Sequence, residues 1–244
     1  MYRVLAPGHP RGTTDMHAVH EDACGETLWL HTHGLRRHGL SEIELSGVPV
    51  ALKGYAHGFL FEIMGYMKSQ KPISADEDVG GAFYGDSQRV YHAATARLVQ
   101  RTNDSQHDGY LRFVDKGETA DSGFPSKLFA THLAAAADDA KEPGKAESLA
   151  RQSLALWDGS ADDSRTMEFN RGNWLAWDIL GHSLCYQGKI DEGLDCFRTM
   201  ARNCPDAVRR TREIILEMAK DLQQPPDSEV STQFFLNFES KSPN

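Results

Sequence analysis

Between residues 28 and 33 apolar and polar side chains alternate, Leu28-Trp29-Leu30-His31-Thr32-His33, and the run stops at Gly34. A period of two over this length predicts a strand. Glu42 to Leu45 alternates more briefly before Gly47 and Pro49 and predicts a second. The period then changes: Leu52, Tyr55, Ala56, Phe59, Ile63 and Met67 recur at three- and four-residue steps. That spacing places them on one face of a helix of about five turns, and such a face needs a sheet to cover. Lys71 to Gly85 carries Pro72, Asp76-Glu77-Asp78 and paired glycines and reads as a loop. Gln88 to Gln100 fits neither period, and Gly109 to Val114 alternates again as a strand.

After the polar stretch Lys116 to Ser122, the chain becomes rich in alanine and adopts the helical period. Ser126 to Ala140 and Ala146 to Trp157 predict two helices broken at Pro143-Gly144, which makes a helical hairpin. Asp158 to Asn173 is polar and reads as an inserted loop or a short extra helix. Trp174–Tyr186 and Lys189–Asn203 predict a second hairpin. Val208, Thr211, Ile215, Met218 and Leu222 mark one stripe of a closing helix, stopped by Pro225-Pro226. A tail bearing Phe234, Phe235, Leu236 and Phe238 follows; it either packs back on the helices, the simpler expectation, or docks on a partner. The organisation predicted is an α+β domain over residues 1–118, an all-α helical-hairpin domain over 123–224 and a tail over 225–244.

Trp177, Leu180, Gly181, Gly188, Phe197 and Pro205 stand at the spacing W-x2-L-G-x6-G-x8-F-x7-P. Two antiparallel helices pack closely only if small and large residues alternate at fixed places along their contact. Over these residues the sequence resembles the tetratricopeptide repeat family. It departs from that family at Gly193 and Met200, where alanine is preferred; the glycine is expected to loosen one contact and the methionine to fill the other. The preceding hairpin lies on the same pattern with Ala146, Ala150 and Leu154, but its turn at Lys141 to Gly144 does not keep the family's length. In such repeats the first helix of each pair lines the concave face. The resemblance therefore implies partner contacts at Leu175, Asp178, His182, Cys185 and Tyr186.

Charge narrows the partner. The formal charge is −9, with −3 before residue 120 and −6 after it. No basic surface is available for phosphate backbones, so nucleic acid is not expected, whereas a basic protein partner is. Met1 to Thr14 lacks an apolar core of roughly 7–15 residues, and no stretch approaches about 18 apolar residues, so neither export nor membrane insertion is expected. The four cysteines form no C-x-x-C pair, which suits a reducing, cytoplasmic compartment.

Nine of the eleven histidines precede residue 120, and His31 and His33 sit two apart on a strand, hence on one face. Paired imidazoles can chelate a metal, and a strand ending in H-x-H resembles metal-dependent amidohydrolases and phosphoesterases. Glu42, Glu44, His57 or Asp78 could complete such a set. A barrel of that kind needs roughly 200 residues or more of alternating strands and helices, which the space before the helical repeats does not provide. The histidines are therefore expected to be hydrogen-bonded structural groups, with no stoichiometric metal and no cofactor. The pattern H-T-H-G-L-x-R-x-G-L-x-E-I-E is similar to uncharacterised bacterial domains found beside polymorphic-toxin and immunity genes; the similarity covers residues 25 to 115 and carries no catalytic residues. No G-x-S-x-G, P-loop, G-x-G-x-x-G or H-E-x-x-H occurs. The expectation is a non-enzymatic binding protein of the immunity or adaptor class. A metal-dependent hydrolase and a self-assembling scaffold are the alternatives.

Overall fold

A computed structural model of the chain describes residues 14–69, 72–75, 91, 96–100, 109–119, 121–156 and 173–203, together with 213, 216 and 217. The chain is a mixed α+β protein that divides into two units. One comprises Met1–Phe83 and Ala93–Pro125, the other Tyr84–His92 and Ser126–Asn244. Asp78, the helix stripe from Val208 to Leu222, the aromatic tail and all but the last residue of the Asp158 to Asn173 stretch lie outside the described residues, apart from single positions of that stripe's helix.

In the first unit, β1 (Asp15–His20), β2 (Thr27–His33), β3 (Ile43–Pro49), β4 (Ala96–Gln100) and β5 (Leu111–Asp115) form one sheet in the order β1-β2-β3-β5-β4. All neighbours are antiparallel except β3 and β5, which run parallel. The alternation around residue 30 divides the sheet into two unlike faces. Leu30 is paired with Leu45, and both are fully buried with Ile43 and Phe113 on the apolar face. Helix α1 (Lys53–Ser69) covers that face, its Phe59 meeting Phe113 edge-on at 5.0 Å. Phe59, Leu60 and Ile63 are fully enclosed, each contributing roughly 1.5–3 kcal/mol of transfer free energy. Tyr55 does not join this stripe and is 36% exposed; Leu60 and Met64 occupy the helix face instead. Gly47 does not end β3. It bends the strand at φ 67°, and its N–H is held by the Glu21 carboxylate, which also accepts from Ser46 Oγ at 2.7 Å. Strand β1 had no sequence expectation, and β4 falls in the segment that fitted neither period.

The described elements of the second unit are α2 (Ala130–Asp139), α3 (Pro143–Leu156), α4 (Trp174–Tyr186) and α5 (Ile190–Asn203). Pro143 does not break a helix but begins one, as suits a residue whose missing N–H falls where helix donors are unpaired. The two hairpins turn alike. Lys141 at φ 58° sends its N–H to Asp138 O while Glu142 N–H reaches back to Ala137 O; Gly188 at φ 79° pairs with Cys185 O while Lys189 reaches Leu184 O. This is one helix-ending motif used twice, and the Lys141 turn has the same length as the Gly188 turn. The expected mismatch in turn length does not occur.

Equivalent positions of the two hairpins carry small residues: Ala134 and Ala146 are buried in one cluster, and Gly181 approaches Gly193 in the other hairpin. A Cβ on Gly181 would lie 2.5 Å from Phe197 Cε1. A Cβ on Gly193 would meet Cys185 Sγ, and would stand 2.8 Å from the Gly181 carbonyl oxygen, which is backbone and cannot turn aside. Gly193 therefore marks the closest approach of the two helices and does not loosen the contact. Buried polar groups tie α2 to α3 and to the start of α4: Thr131 Oγ1 and Ser153 Oγ are 2.6 Å apart, and Asn173 Nδ2 donates to Ser153 Oγ at 2.8 Å. Glu147 on α3 accepts from Gln187 at 2.8 Å and Lys189 at 3.0 Å, and pairs with Arg151.

Gly193→Ala is expected to destabilise the protein by about 1–3 kcal/mol in denaturant titrations, since neither helix can move without opening the hairpin. An unchanged midpoint would contradict this packing. The Lys189 hydrogen bond, with those from Gln187 and Arg151, pulls the Glu147 carboxyl down to about 2 from a usual 4.5. A depressed folded value means that this stabilisation is present above pH 4.5 and is lost as the pH falls towards 2. Glu147→Gln should therefore shallow the fall in stability across that window; an identical acid limb would show that the bridge contributes nothing.

Candidate functional site

The face of the sheet opposite α1 is polar, and its register places a continuous row of functional side chains across four strands. His17 on β1 pairs with His31 on β2, His31 with Glu44 on β3, and Glu44 with Arg112 on β5. Glu44 is fully buried, Arg112 7% exposed and His31 3% exposed. Arg112 Nε donates to Glu44 Oε1 at 2.7 Å, and Trp29 Nε1 donates to Glu44 Oε2 at 2.9 Å. Trp29 lies where the β2–β3 register shifts between Leu28 and Leu30. Irregularities of this kind re-aim a side chain, and here the indole turns to stack on the His31 ring at 3.7 Å with 24° between planes. One carboxylate thus holds a guanidinium and an indole, and the indole fixes an imidazole.

His31 and His33 do share a face. Their Nε2 atoms are 3.0 Å apart, and the His17 ring closes on them, 4.5 Å from His33 and 5.6 Å from His31. The ligand nitrogens of the three rings all lie within 4.8 Å of one another. His33 Nδ1 faces the Tyr110 hydroxyl at 3.4 Å, and the Arg36 guanidinium sits 5.6 Å from the centre of the Tyr110 ring. Burial first, then the Glu42 charge, raises the Tyr110 hydroxyl above its ordinary value, so it stays protonated.

Of the residues proposed to complete a metal set, Glu42 and Glu44 are otherwise engaged. Glu42 accepts from Thr32 Oγ1 at 2.8 Å, from Gly34 N–H at 2.8 Å and from Arg36 N–H at 3.2 Å, closing the loop after β2. This gives the H-T-H-G-L-x-R-x-G-L-x-E pattern a structural reason: Thr32 and Glu42 bind each other, and Gly34 and Gly39 take φ of 99° and 73° around the short turn Leu35–His38. His57 is exposed on α1, which covers the other face. The third imidazole comes instead from His17. Sequence reasoning missed it because β1 shows no clear alternation, and a partner across a ladder is invisible until the strands are paired.

The residues expected to line a partner-binding face of α4 are distributed unevenly. Tyr186 is 37% exposed, with the Lys141 ammonium 5.5 Å from its ring centre. Leu175 is half-buried against the helical core. Asp178 and His182 face each other at 3.4 Å with most of each side chain covered, and His182 meets the Phe197 ring at 5.4 Å. Cys185 is buried at the α4–α5 crossing, where its side chain cannot reach a partner. The reason is geometric: α4 is packed between α3 and α5, so little of its length is open among the described residues. Burial pushes the Cys185 and Cys196 thiols up to about 11, so neither supplies a thiolate nucleophile at neutral pH.

Among the described residues no helix is long and apolar enough to cross a membrane. No family model matches the chain, and neither a curated protein nor a solved structure matches it.

Removing one member of the buried pair leaves the other charge without its counter-ion. Arg112→Met should therefore cost about 3–5 kcal/mol in urea denaturation, whereas the double change Glu44→Gln with Arg112→Met should recover much of that loss. A double variant no more stable than Arg112→Met alone would show that the pair is not the unit described.

Proposed function

We propose that the protein acts by stoichiometric binding of another protein through its helical unit, as a toxin-neutralising or adaptor protein does. The observation that carries this reading is Tyr186, an exposed aromatic at the end of α4 set in a fixed surround. Lys141 approaches its ring from the α2–α3 turn, and the next residue, Gln187, is tied to Glu147 on α3. Tyrosines held in this way are common anchors of protein interfaces, because they bury a large area while losing little side-chain freedom.

The two hairpins support the reading further. Each ends its first helix with the same turn motif, and each carries small residues at the crossing, in the manner of tetratricopeptide-type pairs. Both turns lie at one end of the unit, since Glu147 near the start of α3 accepts from Gln187 and Lys189. That end presents Asp139, Glu142, Asp191 and Glu192 as exposed acids beside three lysines, in keeping with the −6 balance of the chain after residue 120. A basic partner would be drawn to it by charge and anchored by Tyr186.

The full-length protein should therefore capture a basic partner from its native cells in a one-to-one complex. Raising the ionic strength from about 0.05 to 0.5 M should slow association by about tenfold or more, because the screening length falls from roughly 14 to 4 Å. Tyr186→Ala should speed dissociation, and Asp191→Lys with Glu192→Lys should slow association, all with unchanged circular dichroism. A complex indifferent to salt and to all three substitutions would place the interface elsewhere and contradict the reading.

A further inference from the structure

The polar face of the sheet carries chemistry that protein binding by the helical unit does not use. Three imidazoles from two adjacent strands converge there, with their ligand nitrogens within 4.8 Å of one another. We propose that His17, His31 and His33 form a binding site for a first-row divalent transition-metal ion of the zinc type, with the fourth coordination position open to solvent on the His17 side.

Four features of the geometry support this assignment. The first is distance: two nitrogens bound to one tetrahedral ion at about 2.0–2.1 Å stand roughly 3.3 Å apart, and His31 Nε2 and His33 Nε2 are 3.0 Å apart. The third nitrogen lies within 4.8 Å of these two, and the exposed His17 ring has to close on them to share the ion. The second is the tautomer. His33 turns Nδ1 to the Tyr110 hydroxyl, so the form in which Nδ1–H donates to that oxygen leaves the Nε2 lone pair pointing at His31.

The third feature is rigidity. His31 is clamped by the stacked Trp29, and Trp29 by Glu44, whose other oxygen is bound to Arg112. The stack fixes the plane of the His31 ring, the part that outer hydrogen bonds play for imidazole ligands in other metal sites. The fourth is donor type. Three neutral imidazoles suit zinc and its neighbours and do not suit magnesium or calcium, which take oxygen ligands. With three protein ligands and His17 exposed on the first strand, a water molecule can complete the coordination, which is the arrangement of ions that act on substrates.

A single proton shared between His31 and His33 also explains a 3.0 Å contact, but it gives His17 no part. His17 therefore separates the two accounts, and because it is exposed its removal leaves the core intact. The experiment uses untagged full-length protein, stripped with chelator, desalted and titrated with zinc chloride by calorimetry, with metal content measured after equilibrium dialysis. The parent protein and His38→Ala, which alters an exposed histidine outside the cluster, should each hold one zinc per chain. His17→Ala and His33→Ala should each lower the affinity by more than about 100-fold. Cobalt should give the visible bands of a tetrahedral ion in the parent and not in His17→Ala. If His33→Ala fails to fold, the His17→Ala result stands by itself. Zinc uptake below about 0.1 ion per chain in the parent, or equal uptake by His17→Ala, would overturn the proposal.

Discussion

The Glu44 carboxylate has no access to water, and the architecture of the sheet follows from how that charge is held. A buried carboxylate is tolerated only where its oxygens are bound, and here Arg112 takes one and Trp29 the other. Arg112 comes from β5, which runs parallel to β3, so the ion pair and the parallel ladder specify the same register. Sliding β5 by one residue would move Arg112 to the apolar face against α1 and leave Glu44 alone. Trp29 comes from the other side, where β2 departs from regular pairing. The row from Arg112 through Glu44 and Trp29 to His31 is thus a chain in which each member fixes the next. The histidine cluster stands at its end.

The helical unit rests on a different constraint, the distance of closest approach between backbones. Gly181 and Gly193 bring α4 and α5 together until Phe197 and Cys185 fill the space that side chains on the glycines would need. The same closeness removes Cys185 and most of Asp178 and His182 from the surface. Among the described residues the turn end stays open, with Tyr186 and the exposed acids gathered there. Tight packing along the helices and an exposed aromatic at the α4 end follow from one geometric choice, and the proposed interface uses that exposed end.

Much of this was legible in the residues. The Leu28 to His33 alternation, the α1 stripe and the Trp174 to Asn203 hairpin are strong local periodicities, and local periodicity is what a single sequence displays. Pro143 misled because proline both stops a helix and starts one, and only the Lys141 turn before it distinguishes the two. Gly193 misled because a glycine in place of alanine reads as a looser contact, whereas the helices close until nothing larger fits. His17 could not be placed at all, and Arg112, although inside the strand predicted from Gly109 to Val114, could not be given its partner Glu44. Their importance comes from strand pairing over long sequence separations, and the β1 and β5 residues give no sign of which neighbours they will meet.

The metal assignment joins these observations, since it requires the pairing of β1 with β2, the clamp on His31 and the tautomer of His33 together. Its most direct test is the zinc X-ray absorption spectrum of the loaded full-length protein. The account predicts three imidazole nitrogens at about 2.0–2.1 Å and one further oxygen or nitrogen at similar distance. A first shell containing sulfur at about 2.3 Å, or one built from oxygens without imidazole scattering, would contradict it.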